Sequence, residues 1–272
     1  MGEMLELTVA EGGVADLVLN RPQVHNAFND ELIARLGDAF AELDADEAVR
    51  AVLVRARGRN FCAGADLDWM RAAASYGEEE NRLDAERLSE MLHRFNAMRK
   101  PTLVLVQGAA IGGGAGLVAC ADIAVAVRNA RFGFSEVRLG LTPATISPYV
   151  IAKIGESAAR RWFLTGERFD AETAHAIGLV HDLVGSEGDL LSAAERILGD
   201  LLKAPPGALA VTKDLIARVK SRPIDPALRA ETAAIIAERR ASEEAREGIA
   251  AFFERRLARW VRRPSKGDNE QG

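Results

Sequence analysis

Cysteine is scarce in this chain: two residues in 272, Cys62 and Cys120, with neither CxxC nor Cys/His spacing. That count leaves no multi-disulfide framework and no zinc ribbon, and the apolar neighbours of both thiols fit buried residues in a reducing compartment. Histidine is nearly as rare. His25, His93, His175 and His181 lack the spacing of metal ligands, so none is expected to be catalytic. There is no positive excess either, since 35 Lys and Arg face 40 Asp and Glu for a net charge of −5. Sequence-blind nucleic-acid binding draws on such an excess, so nucleic acid is not expected as a partner. Apolar stretches are broken by charges or glycines well before the roughly 20 residues of a membrane span. The N-terminal MGEMLELTVAEGG shows no basic region leading into an apolar run. The expectation is a cytoplasmic protein with no membrane partner.

What is present is ample material for a core, with 48% hydrophobic and 28% charged residues. Residues 4–10 and 14–19 predict two strands across a Glu-Gly-Gly turn, hence a hairpin. Asn29 offers an N-cap to a helix in which Leu32, Leu36, Phe40 and Leu43 recur through about residue 44. AVLVRA (51–56) predicts a strand. Helical periodicity over 79–98 ends at Pro101, before the strand TLVLVQ (102–107). A small-residue helix over 113–120, a strand at 123–127 and an extended piece at 131–134 follow. Strands alternating with helices at this spacing predict right-handed crossovers and a mostly parallel sheet.

Beyond 149 the pattern is helical: 149–154, 156–164, 171–177, 188–202, 207–219, 225–238 and 243–259, with LVHDLV (179–184) as the one strand. The division predicted is an α/β core over residues 1–200 and a helical segment over 201–272, with a frayed polar tail. That segment packs either on a core of its own or on a neighbouring subunit.

Two loops carry the chemistry. In QGAAIGGGAGL (107–117) three glycines, Gly112 to Gly114, stand between an apolar strand and a small-residue helix. Glycine there admits positive φ and close approach of a ligand to the main chain. The unpaired N–H groups and positive dipole end of the helix suit a developing oxyanion. The alternative is a tight strand-to-helix turn packed on a neighbour. No Gly-Lys-Ser/Thr follows, so a P-loop is excluded, and the dinucleotide spacing is absent. The second loop, RGRNFCAGADLDWM (57–70), has residues too small to shield its backbone. Both loops leave the C-terminal ends of parallel strands, where they converge on one sheet edge.

NFCAGADL (60–67), QGAAIGGGAGL and the following CADIAVAVRNARFGFSEVRLGL resemble the enoyl-coenzyme A hydratase/isomerase, or crotonase, family. NRPQVHNAFN (20–29) and AFFERRLARW (251–260) extend the resemblance over essentially the whole chain. It implies an α/β fold with a ββα-superhelix core, and a C-terminal helical segment that builds trimers, often doubled to hexamers. It implies an acyl-coenzyme A thioester as substrate, so coenzyme A arrives with the substrate and no separate cofactor is needed for catalysis. By motif position the oxyanion hole falls to the N–H groups of Ala65 and Gly113. The adenine is expected against the main chain around Ala63, Ala65, Asp66 and Leu67, with Arg21 near the nucleotide phosphates. Arg255 and Arg256 are candidates to reach a neighbour's coenzyme A.

Hydration of a conjugated thioester needs a base for water and an acid for the α-carbon. Family hydratases resembling this chain supply two glutamates. Here the first position is Gly116, and the second is Glu136 in FGFSEVRLG, whose alternative role is an ion pair with Arg138. A lone carboxylate suits a 1,3-proton shift, as in the family's Δ3,Δ2-isomerases, or a hydration in which Glu136 moves both protons. The run FSEVRLGLTPATISPYV (134–150) is similar to bacterial hydratases of 3-methylglutaconyl-coenzyme A in leucine degradation, and of isohexenylglutaconyl-coenzyme A. The expected reaction is hydration of a branched glutaconyl thioester through an enolate, a lyase activity. A single-glutamate isomerase and a scaffold or RNA-associated homologue are the alternatives. A distal substrate carboxylate calls for donors, and Arg138, Thr142, Thr145, Ser147 and Tyr149 are the candidates, with helix capping as the competing role for the hydroxyls. Trp69 and Met70 are candidates for the acyl pocket. Asp122 reads as a helix-end or subunit-contact carboxylate. The basic run Arg255, Arg256, Arg259, Arg262 and Arg263 is expected at an interface or near phosphates.

Overall fold

In the computed structural model, which describes residues 4–261, β1 (Leu5–Val9) and β2 (Val14–Leu19) form the expected antiparallel hairpin. From β2 onward every pairing in the main sheet is parallel. β3 (Ala51–Ala56), β4 (Thr102–Val106), β6 (Ile123–Val127) and β9 (Asp182–Val184) follow in the order β1-β2-β3-β4-β6-β9. The unbroken burial of β4 and of Ala51–Val54 explains why these strands are continuous apolar runs and not alternating ones.

α1 (Asp30–Ala45) starts where Asn29 accepts the Leu32 N–H at 2.9 Å, with Asp30 and Glu31 in its first turn. Its apolar face meets α3 (Glu78–Ala97), and the rings of Phe40 and Phe95 stack 4.5 Å apart. Burying each such side chain contributes about 1.5–3 kcal/mol. α4 (Gly113–Cys120) connects to β6 and is buried along nearly its whole length, which small residues permit. Both cysteines are free and buried, and burial pushes the Cys62 thiol up to about 12.

Three short elements escape the periodicity reading. α2 (Leu67–Ala73) is held by an Asp66 cap. β5 (Ala109–Ile111) and β8 (Arg168–Asp170) join β7 (Arg131–Gly133) in a second, three-stranded sheet. Two boundaries also move. The strand expected over 179–184 narrows to Asp182–Val184, and the last helix stops at Phe253, not 259. The expected break near residue 155 falls inside α5 (Ser147–Thr165), at the non-helical Gly155.

After α6 (Ala171–Ala176) and α7 (Gly188–Leu201) come α8 (Pro206–Val219), α9 (Pro226–Ala241) and α10 (Glu243–Phe253). These last three bury only Leu228, Glu247 and Ala251. Asp122 ties them to the sheet, through Lys213 at 2.6 Å while it also accepts from Thr102. Arg256 and Arg259 both turn back onto Glu247, whose carboxyl the Arg256 hydrogen bonds hold down at about 2. Arg262, Arg263 and the polar tail lie outside the described residues.

Candidate active site

The loop 57–66 is organised from beneath by one polar side chain, Asn26, which is fully buried. Its amide donates to the carbonyls of Arg57 (2.9 Å) and Asn60 (2.8 Å), and its oxygen accepts the Arg21 N–H at 2.8 Å. His25 and Asn26 both sit at φ 55°, a region asparagine tolerates better than most residues. Arg21 supports the same loop from the side. Its guanidinium donates to the Ala27 carbonyl (2.6 Å) and to Asp66 (2.9 Å), and its side chain is 11% exposed. These bonds brace the loop against the 20s segment. Burial would push the Asp66 carboxyl up, but hydrogen bonds from Asp68 N–H, Arg21 and Trp69 N–H together hold it below the usual carboxylate range.

Above this brace the chain from Ala63 to Leu67 alternates. Ala63, Ala65 and Leu67 are exposed, while Gly64 and Asp66 are buried. A parallel bridge to Phe28 takes the Gly64 carbonyl and the Asp66 N–H, each at 2.8 Å. In an extended chain the intervening Ala65 N–H then points to the opposite, open side. The same loop runs parallel to β5: Cys62 N–H donates to Ala109 O at 2.9 Å and Ile111 N–H to Cys62 O at 3.0 Å, around a Cys62–Ala110 bridge. A Cβ on Gly64 would stand 3.4 Å from the Ile111 carbonyl, so the two segments stay pressed together up to the glycine turn.

Gly113 is the first residue of α4, so its N–H has no intrahelical acceptor. Gly112 before it takes φ 52°, ψ −121°, a conformation closed to L side chains. Close packing adds a second demand for glycine at Gly114, where a Cβ would lie 2.7 Å from the Cys62 side chain. A main-chain donor free at the positive end of a helix, as at Gly113, is suited to a developing oxyanion.

Glu136 opens a 3-10 turn, Glu136–Leu139, that follows β7. Its Oε1 lies 3.2 Å from where a Cβ on Gly112 would be, which sets the carboxyl directly against the glycine turn. Oε2 is buried and has no hydrogen-bond partner. Burial pushes the Glu136 carboxyl above the usual range, with its own backbone N–H pulling weakly the other way. No salt bridge joins it to Arg138, whose Nε instead leans toward the Thr165 carbonyl at 3.4 Å and presses on Gly166. Thr142 is exposed, Ser147 donates to Ala144 O, and Tyr149 is half-buried with its phenol pushed up by burial. Trp69 and Met70 are half-buried on α2.

Three neighbours of the site escape the sequence reading. Asn26 carries a weak signal, a polar residue between His25 and Ala27 in a short turn. Phe28, whose ring lies 3.1 Å from a Cβ position on Gly113, and Ile146, packed on Gly116, carry none. Among the described residues no group of three or more His, Cys, Asp or Glu side chains is set to hold a metal ion.

The fold, with its parallel core, paired donor loops and trailing helices, is that of the crotonases. The chain belongs to the enoyl-CoA hydratase/isomerase family, whose model matches residues 9–263, and is an enzyme acting on coenzyme A thioesters. An enoyl-CoA hydratase of Shewanella pealeana superposes with a TM-score of 0.91 at 42% identity, covering 95% of this chain and 96% of that one. A short-chain-enoyl-CoA hydratase of Clostridium acetobutylicum is 31% identical over 90% of this chain and 93% of its own length. A 1,2-epoxyphenylacetyl-CoA isomerase of Escherichia coli is also 31% identical, over 92% and 95%. At 31% identity the relatives include both a hydratase and an isomerase, so likeness at that level does not select the reaction.

Proposed function

We propose that this enzyme adds water across the conjugated double bond of an enoyl-coenzyme A thioester, with Glu136 as its single proton carrier. The observation that carries this reading is the placement of one half-buried carboxyl against the Gly112–Gly113 turn, with an unpartnered oxygen. The thioester oxygen accepts from the N–H groups of Ala65 and Gly113, each such donor being worth roughly 3 kcal/mol in the transition state. Glu136 takes a proton from water as the water oxygen bonds to the β-carbon and the π-electrons move to the thioester enolate. The same carboxyl then returns that proton to the α-carbon, so one water is added and Glu136 is regenerated. A carboxyl raised by burial suits both halves of that cycle, because basicity and acidity are both needed near neutral pH.

The substrate we favour is 3-methylglutaconyl-coenzyme A, giving 3-hydroxy-3-methylglutaryl-coenzyme A, on the likeness of residues 134–150. Isohexenylglutaconyl-coenzyme A is the longer alternative. Arg138 and Thr142, exposed on the segment that follows Glu136, are the candidates for the distal carboxylate, and Trp69 and Met70 for the acyl wall. The adenine would lie along the exposed main chain at Ala63, Ala65 and Leu67. Self-association as a trimer or dimer of trimers belongs to the same reading. So does a cytoplasmic location, which the buried free thiols favour; among the described residues no helix is long and apolar enough to cross a membrane.

A second reading that the lone carboxylate also fits is a double-bond isomerase in which Glu136 moves one proton from carbon to carbon. A substrate panel separates them. Purified enzyme is incubated with 3-methylglutaconyl-, crotonyl- and 3-enoyl-coenzyme A, following the conjugated-thioester absorbance and product mass. Hydration gives a gain of 18 Da from a conjugated substrate. Turnover of the 3-enoyl thioester alone, without mass change, would select the isomerase.

A further inference from the structure

The face of α4 beside Glu136 is bare of side chains. Gly112 caps it and Gly116 lies one turn on, its N–H bonded to the Gly112 carbonyl at 2.9 Å. Each glycine is covered by one side chain from the segment 136–146. Over Gly112 lies the Glu136 carboxyl. Over Gly116 lies Ile146, so close that a Cβ added to Gly116 would stand 2.2 Å from its Cγ2 and 2.8 Å from its Cβ. One helical turn, about 5–6 Å, separates the two covered positions. Ile146 is 1% exposed, and its carbonyl is bonded by the N–H groups of Tyr149 and Val150 at the start of α5. Its backbone is thereby fixed, and even a methyl group on residue 116 has no room. Ile146 also has no donor to offer, and Glu136 Oε2 has none.

We propose that Ile146 is a positioning residue for the reaction: by filling the space over Gly116 it excludes both water and any second acid–base side chain from that helix face. Glu136 is left as the only group there that can carry a proton. The inference rests on the single-carboxylate reading above and assigns to one apolar side chain what keeps it single. It also gives Gly116 a reason beyond the absence of an acid, since the glycine and the isoleucine interlock.

The test compares Ile146→Val with Ile146→Thr, two side chains of nearly one shape that differ in a hydroxyl donor. The carboxyl stretch of protonated Glu136, assigned in infrared difference spectra by its loss in Glu136→Gln, is titrated in both. We expect its midpoint to fall by about one pH unit in the threonine variant, because a hydroxyl and the water it admits to that helix face reduce the desolvation of the charged form. kcat on the best substrate of the panel should fall roughly tenfold with KM unchanged. Gly116→Ala should lower both Tm and kcat, and Gly116→Ala/Ile146→Ala should regain Tm over Gly116→Ala alone. Identical midpoints and kcat for the valine and threonine variants would overturn the inference while leaving Glu136 as the carrier. So would a Gly116→Ala enzyme as stable and active as the wild type. Full turnover by Glu136→Gln would overturn the single-carboxylate reading, and this inference with it.

Discussion

At the scale of single residues, the chemistry turns on a carboxyl that the fold treats badly. Glu136 is half-buried, Oε2 has no partner, and burial raises its proton affinity above that of an exposed glutamate. A group whose folded-state pKa is raised favours folding while it is protonated, fully so below the unfolded value of about 4.3. That contribution is lost as pH rises through the folded value. Glu136→Gln should therefore raise Tm at neutral pH, by about 2–4 °C for each kcal/mol relieved, and the advantage should vanish as pH falls below the unfolded value. Thermal melts of both proteins at paired pH values measure it. The same variant should lose at least about a hundredfold in kcat, the low end of what a general base contributes, while its Kd for a coenzyme A thioester stays within a few-fold. More stable and inactive is the signature of a catalytic group. An equal Tm at every pH would mean that the carboxyl is solvated in solution.

At the scale of elements, the site depends on two loops being pressed together, and the residues that press them are polar or small. Asn26 spans the 20s segment and the loop 57–60 with three hydrogen bonds from a fully buried position. Asn26→Ala would remove all three bonds, at about 0.5–1.5 kcal/mol for each. Gly114→Ala would drive a methyl into Cys62, an overpacking cost of about 1–3 kcal/mol, and separate the Ala65 and Gly113 donors. Both variants should lower kcat/KM by at least tenfold with Glu136 untouched. Hydrogen exchange should show faster opening of residues 57–66, and exchange unchanged from wild type would mean that the loops hold without these clamps.

The same scale explains what could be read from the sequence. Helices of three turns or more, such as α1 and α3, bury a repeating stripe, and strands such as β3 and β4 carry apolar runs of four residues, so sequence pattern found them. β5 and β8 are three residues long and owe their pairing to β7, which no local pattern encodes. Glu136 and the glycine turn were legible because an acid in an apolar stretch and three adjacent glycines are locally odd. Ile146 was not, since an isoleucine before a helix is ordinary and its meaning lies in a contact with Gly116, thirty residues away. The brace made by Arg21 was hidden for a related reason: its partner Asp66 lies 45 residues on, and an unpaired arginine and a bracing one look alike in a sequence.

For the whole molecule, the open question is what covers the C-terminal helices. Across α8 to α10 and the turn after them, Ile216, Ile224, Ile236, Ile249, Phe252, Phe253 and Leu257 are each at least half exposed. Phe252 and Phe253 pack edge to face on each other while remaining 78% exposed. Scattered apolar residues on a surface need no explanation, but seven large ones over three consecutive helices and their connections do. The described turn after α10 is anchored by Arg256 and Arg259 on Glu247 and does not supply the cover. Further copies of the chain can, and closed symmetry would let each subunit both give and receive the same surface. Phe252→Asp/Phe253→Asp should then break the assembly, because two carboxylates would be desolvated in every contact. Sedimentation velocity is expected to show a species of three or six chains for the wild type and a single chain for the variant. Glu136 and the glycine turn lie in the α/β core, so circular dichroism should remain that of a folded protein. A wild type that sediments as one chain would remove self-association from the reading and leave these phenylalanines for a different partner.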